Sequence, residues 1–439
     1  MAGSFLEELR WRGLLHQQTA EEALDAHLAR PGRIGYCGFD PTADSLTIGN
    51  LVPILLLVHW QRAGHRPVVV MGGGTGLIGD PSGKDQERPL LSREQVEANV
   101  AAQRRIFERL LDFDPATPNR ASILDNADWL GKLGFVDFLR EVGKHFSVNA
   151  MLQKESVRER LHHRDQGISY AEFSYMLLQA YDFLHLRREM GCTLQVAGSD
   201  QFGNITAGID VIHRVLGNDV EAFGVTAPLV TRSDGRKFGK SEQGAIWLSP
   251  DRTSPYAFYQ YWINVPDADA VPFLRRFTLL AREETEATEA RHARAPHERI
   301  AQRALARHLT ELLHGADELR RVEAASEALF GGALEGLDAA TLAEVFADVP
   351  HSEHDAGLLS GEGASLTGLL ADTPLASSRR QAREFLDGGA IWVNGRRVER
   401  ERRLTAADLL PGGLILLRRG KKQWHATRWG SPRSTRGET

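Results

Sequence analysis

Tyr36-Cys37-Gly38-Phe39-Asp40-Pro41-Thr42, followed closely by Ser45-Leu46-Thr47-Ile48-Gly49-Asn50 and the apolar run 51–60, is where a strand ends, a polar turn passes and a helix begins. In an open α/β sheet such a junction is a ligand site, because the helix start presents unpaired N–H groups and the positive end of its dipole. Gly38 and Gly49 would let a ribose or phosphate approach the backbone, and Pro53 fits only near the helix start, where a missing N–H breaks no intrahelical bond.

Working outward, β-branched runs at 34–39, 67–71, 121–124, 193–197 and 225–230 alternate with amphipathic stretches at 95–110, 172–181 and 202–215. That alternation predicts a Rossmann-like parallel sheet with helical crossovers. From about 255 to 330 the strand signal disappears and Ala, Arg, Glu and Leu dominate, as in a helical domain. Residues 345–372 lack sustained periodicity and are rich in Gly and Ser, which reads as a linker. The tail has its own α+β pattern, with a helix at 378–386, strands at 391–393 and 414–417, and an Asn394-Gly395 turn. The predicted organisation is an α/β core over 1–245, an α-helical domain over 246–344, a linker over 345–372 and a small α+β domain over 373–432.

The 439 residues, 42% hydrophobic and 25% charged, suit several domains with real cores. No run approaches the roughly 18 apolar residues of a membrane span, and the start has no cleavage signal, so no membrane is expected. Cys37 and Cys192 cannot form a disulfide framework or a four-thiolate zinc site, and a cytoplasmic location is the expectation. The net charge of −5 is uneven. Residues 376–439 hold 15 Lys and Arg against 6 Asp and Glu, a net of +9, which leaves −14 on residues 1–375. A basic tail on an acidic body suggests a polyanion-binding surface.

Two further segments bear on chemistry. Gly74 to Gly79 satisfies G-x-G-x-x-G, but it follows the second strand, and Glu94 and Glu97 lie in a helix rather than at a strand tip where a ribose would meet them. A Walker A loop fails too, since Asp85 follows Lys84. What remains is a loop ending in Lys84 and Arg88 that could close on an anion. The second segment, Asp234-Gly235-Arg236-Lys237-Phe238-Gly239-Lys240-Ser241, sets two lysines three apart on a Gly-containing loop, suited to phosphate charge.

These pieces, in this order, resemble the bacterial tyrosyl-tRNA synthetases, a class I aminoacyl-tRNA synthetase family. Residues 45–50 occupy the place of its His-Ile-Gly-His signature and 237–241 that of Lys-Met-Ser-Lys-Ser; 36–45, 76–83, 143–149, 173–183 and 198–208 also look like family sequence. Ser378-Arg379-Arg380-Gln381-Ala382-Arg383, Val393-Asn394-Gly395 and Arg419-Gly420-Lys421-Lys422 are similar to an S4-type RNA-binding module. The resemblance implies a Rossmann-like core, an anticodon-binding helical domain and an S4 domain.

It also implies roles. Tyr36 and Asp182 would pair the phenol of L-tyrosine, since a hydroxyl that donates and accepts wants one partner of each kind. Asp80, Tyr175 and Gln179 would take the ammonium and Gln201 the carboxylate. Gly38, Asp40, Gly49, Asn50, Gly198, Asp200 and Lys240 would bind ATP. Thr42, Thr47, Asn50, Lys84, Arg88, Lys237 and Lys240 would gather at the departing pyrophosphate, with Mg2+ held by the phosphates and not by a protein cage. Arg379, Arg380, Arg383, Lys421 and Lys422 would bind tRNA, and a homodimer is implied, with 135–148 near its interface. Thr47 and Asn50 replace both signature histidines, and Phe238-Gly239 replaces Met-Ser. That departure keeps an alternative open, a catalytically inactive, synthetase-like RNA-binding protein.

Overall fold

The computed structural model describes residues 4–80, 91–154, 157–158, 168–233, 238–241, 244–331, 334–347, 349–420 and 423–430. The chain falls into two compact units, residues 1–253 with 260–313, and 254–259 with 314–439.

The first unit is built on a six-stranded sheet: β1 (Gln17–Gln18), β2 (Ile34–Phe39), β3 (Arg66–Met71), β4 (Ser122–Asp125), β5 (Leu194–Gly198) and β6 (Phe223–Ala227) in the order β1-β6-β5-β2-β3-β4. All pairings are parallel except that of β1 with β6 at the edge. The predicted strands are all present, shifted by a residue or so except at β6, which ends at Ala227 where the reading ran to residue 230. The chain winds outward from β2 through β3 to β4, then returns to the other side of β2 for β5 and β6. The strand order therefore reverses between β2 and β5, and a crevice opens at their carboxyl ends.

The unit also holds the helices α1 (Ile48–Arg62), α2 (Arg93–Leu110), α3 (Tyr170–Met190) and α4 (Phe202–Leu216), of which α1 and α3 line that crevice. The apolar α1 is buried nearly all round, with Leu51, Ile54, Leu55, Leu56, Leu57 and Trp60 at 0% exposure. It begins at Ile48, three residues before the apolar run, so Pro53 lies inside the helix and not at its start. The proline has no N–H to give the carbonyl of Gly49, one turn back. A short hairpin, β7 (Lys240–Ser241) and β8 (Gly244–Ala245), follows the sheet.

From residue 255 the described elements are helical up to 345: α5 (Pro255–Ile263), α6 (Asp267–Phe277), α7 (Arg282–Arg294), α8 (Ile300–His314), α9 (Ala316–Gly331) and α10 (Ala339–Val345), with short 3-10 turns between. One helical body was expected over 246–344, but residues 260–313 cluster with the first unit and 314–345 with the second. The physical reason is the tail sheet. It runs β12-β11-β14-β15-β9, where β9 is His351–Asp355, β11 Ile391–Val393, β12 Arg396–Arg397, β14 Leu414–Arg419 and β15 Gln423–Gly430; β10 (Ala364–Ser365) pairs separately with β13 (Arg403–Leu404). Its two faces are both apolar. Ile415 and Leu417 join Ile391 and Val393 in a core with α11 (Leu366–Ala371) and α12 (Arg379–Asp387). Leu414, Leu416 and Ala426 face the other way, into a core with Ala325, Ala328, Leu342 and Phe346.

The linker reading of 345–372 is corrected by the same sheet. His351–Asp355 is a strand, paired in parallel with β15, and Leu366, Leu369 and Leu370 of α11 are core residues. Its sequence, His-Ser-Glu-His-Asp, lacks apolar alternation because it is an edge strand, held by backbone pairing and by the Ser352 hydroxyl lying 2.7 Å from His354 Nε2 and 2.9 Å from His425 Nε2.

Candidate active site

The crevice at the carboxyl ends of β2 and β5 is a cavity of about 490 Å³. It gathers Tyr36, Gly38, Asp40, Thr42, Thr47, Gly49, Asn50, Asp80, Tyr175, Gln179, Asp182, Gly198, Asp200 and Gln201, drawn from more than 160 positions of sequence. Of the remaining sequence-derived residues, Lys84, Arg88, Lys237, Lys421 and Lys422 lie outside the described residues, as does the side chain of Lys240.

At the floor, Tyr36 is 1% exposed and its ring packs against Phe183 at 5.3 Å between centroids. Its hydroxyl is buried with no hydrogen-bond partner among the described residues. Asp182 is 4% exposed, and each of its oxygens already accepts one bond: Oδ1 from Trp129 Nε1 at 2.7 Å, Oδ2 from Asn126 Nδ2 at 2.9 Å. The Asp182 carboxyl is raised to about 7: burial lifts it most, those two bonds pull it down, and the charges of Asp40 and Asp125 add to the rise. A buried hydroxyl without a partner and a caged carboxylate therefore share one cavity. An orphaned polar group of this kind costs free energy until something fills it.

A chain of side chains joins this floor to the next part of the site. Asn126 Nδ2 also donates to Thr75 Oγ1 at 3.0 Å, the Thr75 hydroxyl donates to Asp40 Oδ1 at 2.9 Å, and the Tyr175 hydroxyl donates to Asp40 Oδ2 at 3.0 Å. A Cβ on Gly72 would collide with both Asp40 and Thr75, so the link requires glycine there. Burial, then the charges of Asp40 and Asp80, raise the Tyr175 phenol well above its ordinary range, which keeps it neutral with a lone pair to offer. Gln201 Nε2 donates to Asp80 Oδ2 at 2.7 Å and to Asp200 Oδ2 at 3.0 Å, while Asn204 Nδ2 donates to Gln179 Oε1 and Gln201 Oε1, both at 3.0 Å. Both hydrogens of the Gln201 amide are thus spent on carboxylates here.

The two signature segments adjoin. Ile48 N–H donates to the Ile246 carbonyl at 3.0 Å and Ile246 N–H to that of Gly239 at 2.9 Å, and Gly239 sits at φ 77° against Ile48. Within the first signature, Asn50 Oδ1 accepts from both the backbone N–H and the hydroxyl of Thr47, each at 3.0 Å. Thr47 and Asn50 are therefore engaged with each other at the start of α1, which leaves the Asn50 amide hydrogens to point at a ligand. Gly38 is open, with nothing within 4 Å of where a Cβ would stand.

The glycine cluster after β3 behaves differently from a phosphate loop. Gly73 N–H donates to Asp125 Oδ1 at 3.1 Å and Gly74 N–H to Asn126 Oδ1 at 2.7 Å, so its amides serve the end of β4. Asn126, Thr75 and Trp129 were missed from the sequence. The signal that could have found the first of them is its position immediately beyond β4, at the same sheet edge as Asp40 and Asp200.

On the second unit, Arg379, Arg380 and Arg383 are exposed along α12, opposite the buried Ala382 and Leu386, with Arg380 paired to Glu384 at 3.2 Å. Among the described residues, no helix is long and apolar enough to cross a membrane.

Comparison with known proteins matches residues 32–331 to the family described as tRNA synthetases class I (W and Y), and residues 341–427 to the tyrosine–tRNA ligase SYY-like C-terminal domain. The second match starts close to the edge strand and not at 373. The chain is 51% identical over 426 residues to the tyrosine–tRNA ligase of Roseiflexus castenholzii, covering 97% of this chain and 99% of the relative. It is 50% identical over 425 residues to that of Bacillus caldotenax, with coverage of 97% and 99%. Among solved structures, a C-terminally truncated mitochondrial tyrosyl-tRNA synthetase of Aspergillus nidulans superposes with a TM-score of 0.68 at 30% identity, over 74% of this chain and 94% of that one.

Proposed function

Because the chain belongs to the bacterial tyrosyl-tRNA synthetases, and so is a tyrosine–tRNA ligase with ATP as substrate, we propose that the cavity beyond β2 and β5 holds both reactants of tyrosine activation, with the roles that follow. The observation that supports this most is the buried, unpartnered Tyr36 hydroxyl sharing a cavity with Asp182. A phenol entering there donates its proton to the Asp182 carboxylate and accepts from Tyr36, satisfying both. The ammonium lies at Asp80, Tyr175 and Gln179, within the negative field that Asp40 reinforces through the Tyr175 hydroxyl. Gln201 then turns one amide hydrogen from a carboxylate of the protein to that of the substrate.

The tyrosine carboxylate attacks the α-phosphorus of ATP; a new C–O–P bond forms as the bond to the β-phosphate oxygen breaks, releasing pyrophosphate. The nucleophile is already ionised at neutral pH, so no general base is required. What the protein supplies is position and charge. Among the described residues the cavity lining contains no lysine or arginine, so the cations for the outgoing diphosphate are assigned to Lys84, Arg88, Lys237 and Lys240, on segments that begin next to Asp80 and end next to Gly239. Thr42, Thr47 and Asn50 add neutral donors, and Gly38, Gly49, Gly198 and Asp200 form the nucleotide side. Magnesium would be held by the phosphates of the nucleotide and not by a protein cage, and would supply charge neutralisation there. In the cavity Asp40, Asp80, Asp182 and Asp200 each accept a hydrogen bond from a protein side chain. The test is ATP–pyrophosphate exchange by the pure protein with tyrosine and with phenylalanine. Exchange saturating with tyrosine alone is expected despite the two missing histidines, and exchange with neither amino acid would return the inactive alternative.

For tRNA(Tyr) we assign the helices within 260–313 to the anticodon and the C-terminal unit, with Arg379, Arg380, Arg383, Lys421 and Lys422, to the rest of the tRNA surface. A homodimer accounts for one further feature. Phe135 and Val136 on the helix Phe135–Glu141 are 66% and 74% exposed, and Val148 and Tyr170 nearby in sequence are 57% and 65% exposed. Large apolar side chains left this exposed suit burial by a second copy. Phe135→Glu is expected to give monomer at micromolar concentration in sedimentation velocity, where the unaltered chain gives dimer; a dimer in both would remove this helix from the interface.

A further inference from the structure

On the C-terminal sheet, Trp392 of β11 stands directly opposite Arg418 of β14, and Arg418 directly opposite Trp424 of β15. Directly paired residues project from the same face. The Arg418 guanidinium carbon lies 4.4 Å from the centroid of Trp392 and 5.0 Å from that of Trp424, so both flat sides of the guanidinium are covered. Arg397, paired with Trp392 across β12, extends the row, and Phe346 closes its other end against Trp424 at 5.3 Å. Trp392, Arg418 and Trp424 are all half-buried.

The contrast with the next residue is informative. Arg419 points to the opposite face and has hydrogen-bond partners: it donates to the Leu375 carbonyl at 2.7 Å and to Gln423 Oε1 at 2.5 Å, over the Phe385 ring. Among the described residues Arg418 has no such partner. Its Nε is buried without a hydrogen bond, and desolvation holds its pKa below the ordinary value. Among the described residues no carboxylate pairs with it. A planar cation with occupied faces and unanswered N–H groups is left only its in-plane edge, the geometry that suits a phosphate.

We propose that this row is an RNA-contact site, in which Arg418 takes a backbone phosphate of the tRNA through its guanidinium edge and an unpaired base stacks on the half-exposed ring of Trp392. The occupant is argued from charge, since residues 376–439 hold a net of +9, and from the alternation of cation and ring, which serves phosphate and base together. The proposal rests on the reading of this unit as tRNA-binding. It extends that surface from α12, which covers one face of the sheet, to the other face.

The test is the affinity of the full-length protein for a tRNA(Tyr) transcript by fluorescence anisotropy at fixed salt. Trp392→Leu and Arg418→Lys are each expected to weaken binding about tenfold, because one removes the stacking surface and the other keeps the charge but loses the planar fork. Trp392→Phe, which keeps a ring, should stay within about twofold, in keeping with stacking on any aromatic face. Near-UV circular dichroism reports whether the sheet is intact, and if Trp392→Leu disturbs it, Arg418→Lys is the deciding variant. Wild-type affinity in Arg418→Lys overturns the phosphate fork, and wild-type affinity in Trp392→Leu overturns the stacking. Loss confined to Arg379→Glu/Arg380→Glu/Arg383→Glu overturns the row while sparing the wider tRNA reading. Full affinity in all of these variants overturns both.

Discussion

Asp182→Ala is expected to lower kcat/KM for tyrosine in pyrophosphate exchange by a factor on the order of 100, corresponding to roughly 1.5–3 kcal/mol for a lost hydrogen bond to a charged group. Three donors lose their acceptor at once: the substrate phenol, Trp129 Nε1 and Asn126 Nδ2. The same change should shrink the preference for tyrosine over phenylalanine, because phenylalanine no longer strands a buried carboxylate. Asp182→Asn is no rescue, since both oxygens of Asp182 face donors and an amide must set its own N–H groups against one of them. The wild type should show the carboxyl directly. With its pKa raised to about 7 in the empty site, the ionised form that accepts the phenol is depleted below that pH. kcat/KM for tyrosine therefore falls on the acid side of about 7, and binding tyrosine, which favours the ionised form, releases a proton. A variant that keeps the wild-type tyrosine-to-phenylalanine ratio would remove Asp182 from recognition.

Asn126→Ala is the second large effect. No substrate role is assigned to this cavity-lining side chain, yet it accepts from Gly74 N–H, donates to Thr75 Oγ1 and donates to Asp182 Oδ2. Its loss leaves a buried carboxylate short of one bond and frees Thr75, which is the link to Asp40 and so to Tyr175. The expected cost is about 2–4 kcal/mol of stability, from a broken buried network, with the KM for tyrosine rising about tenfold or more by the same reasoning about a charged acceptor. Asn126→Asp separates bonding from volume. It places another carboxyl between Asp125 and Asp182, so it should be worse than Ala at pH 8 and improve toward acid, where a protonated oxygen can again donate. An Asn126→Ala protein with unchanged KM and unchanged thermal unfolding would show that the chain of contacts from Asp182 to Tyr175 does not act as a unit.

The parts of this protein that were legible in sequence are those fixed by local pattern. The β-branched runs gave the parallel strands because a strand buried on both faces must be apolar throughout, and the polar turn between 39 and 48 marked the site because strand ends and helix starts expose backbone N–H groups. The basic tail was legible as charge. The parts that failed depend on which surfaces meet. Residues 351–355 form a strand although their sequence is polar on both faces, because an edge strand is recruited by the open backbone groups of β15 and not by its own side chains. The helices of 316–345 leave the helical body because Leu414, Leu416 and Ala426 must be covered. Asn126 and Trp129 are ordinary surface-type and core-type residues in sequence, and only the approach of α3 to the end of β4 gives them Asp182 to hold. Local periodicity settled which segments are strands and helices; burial of the faces left over, which no single segment encodes, settled their partners and the pKa of the carboxylate on which recognition turns.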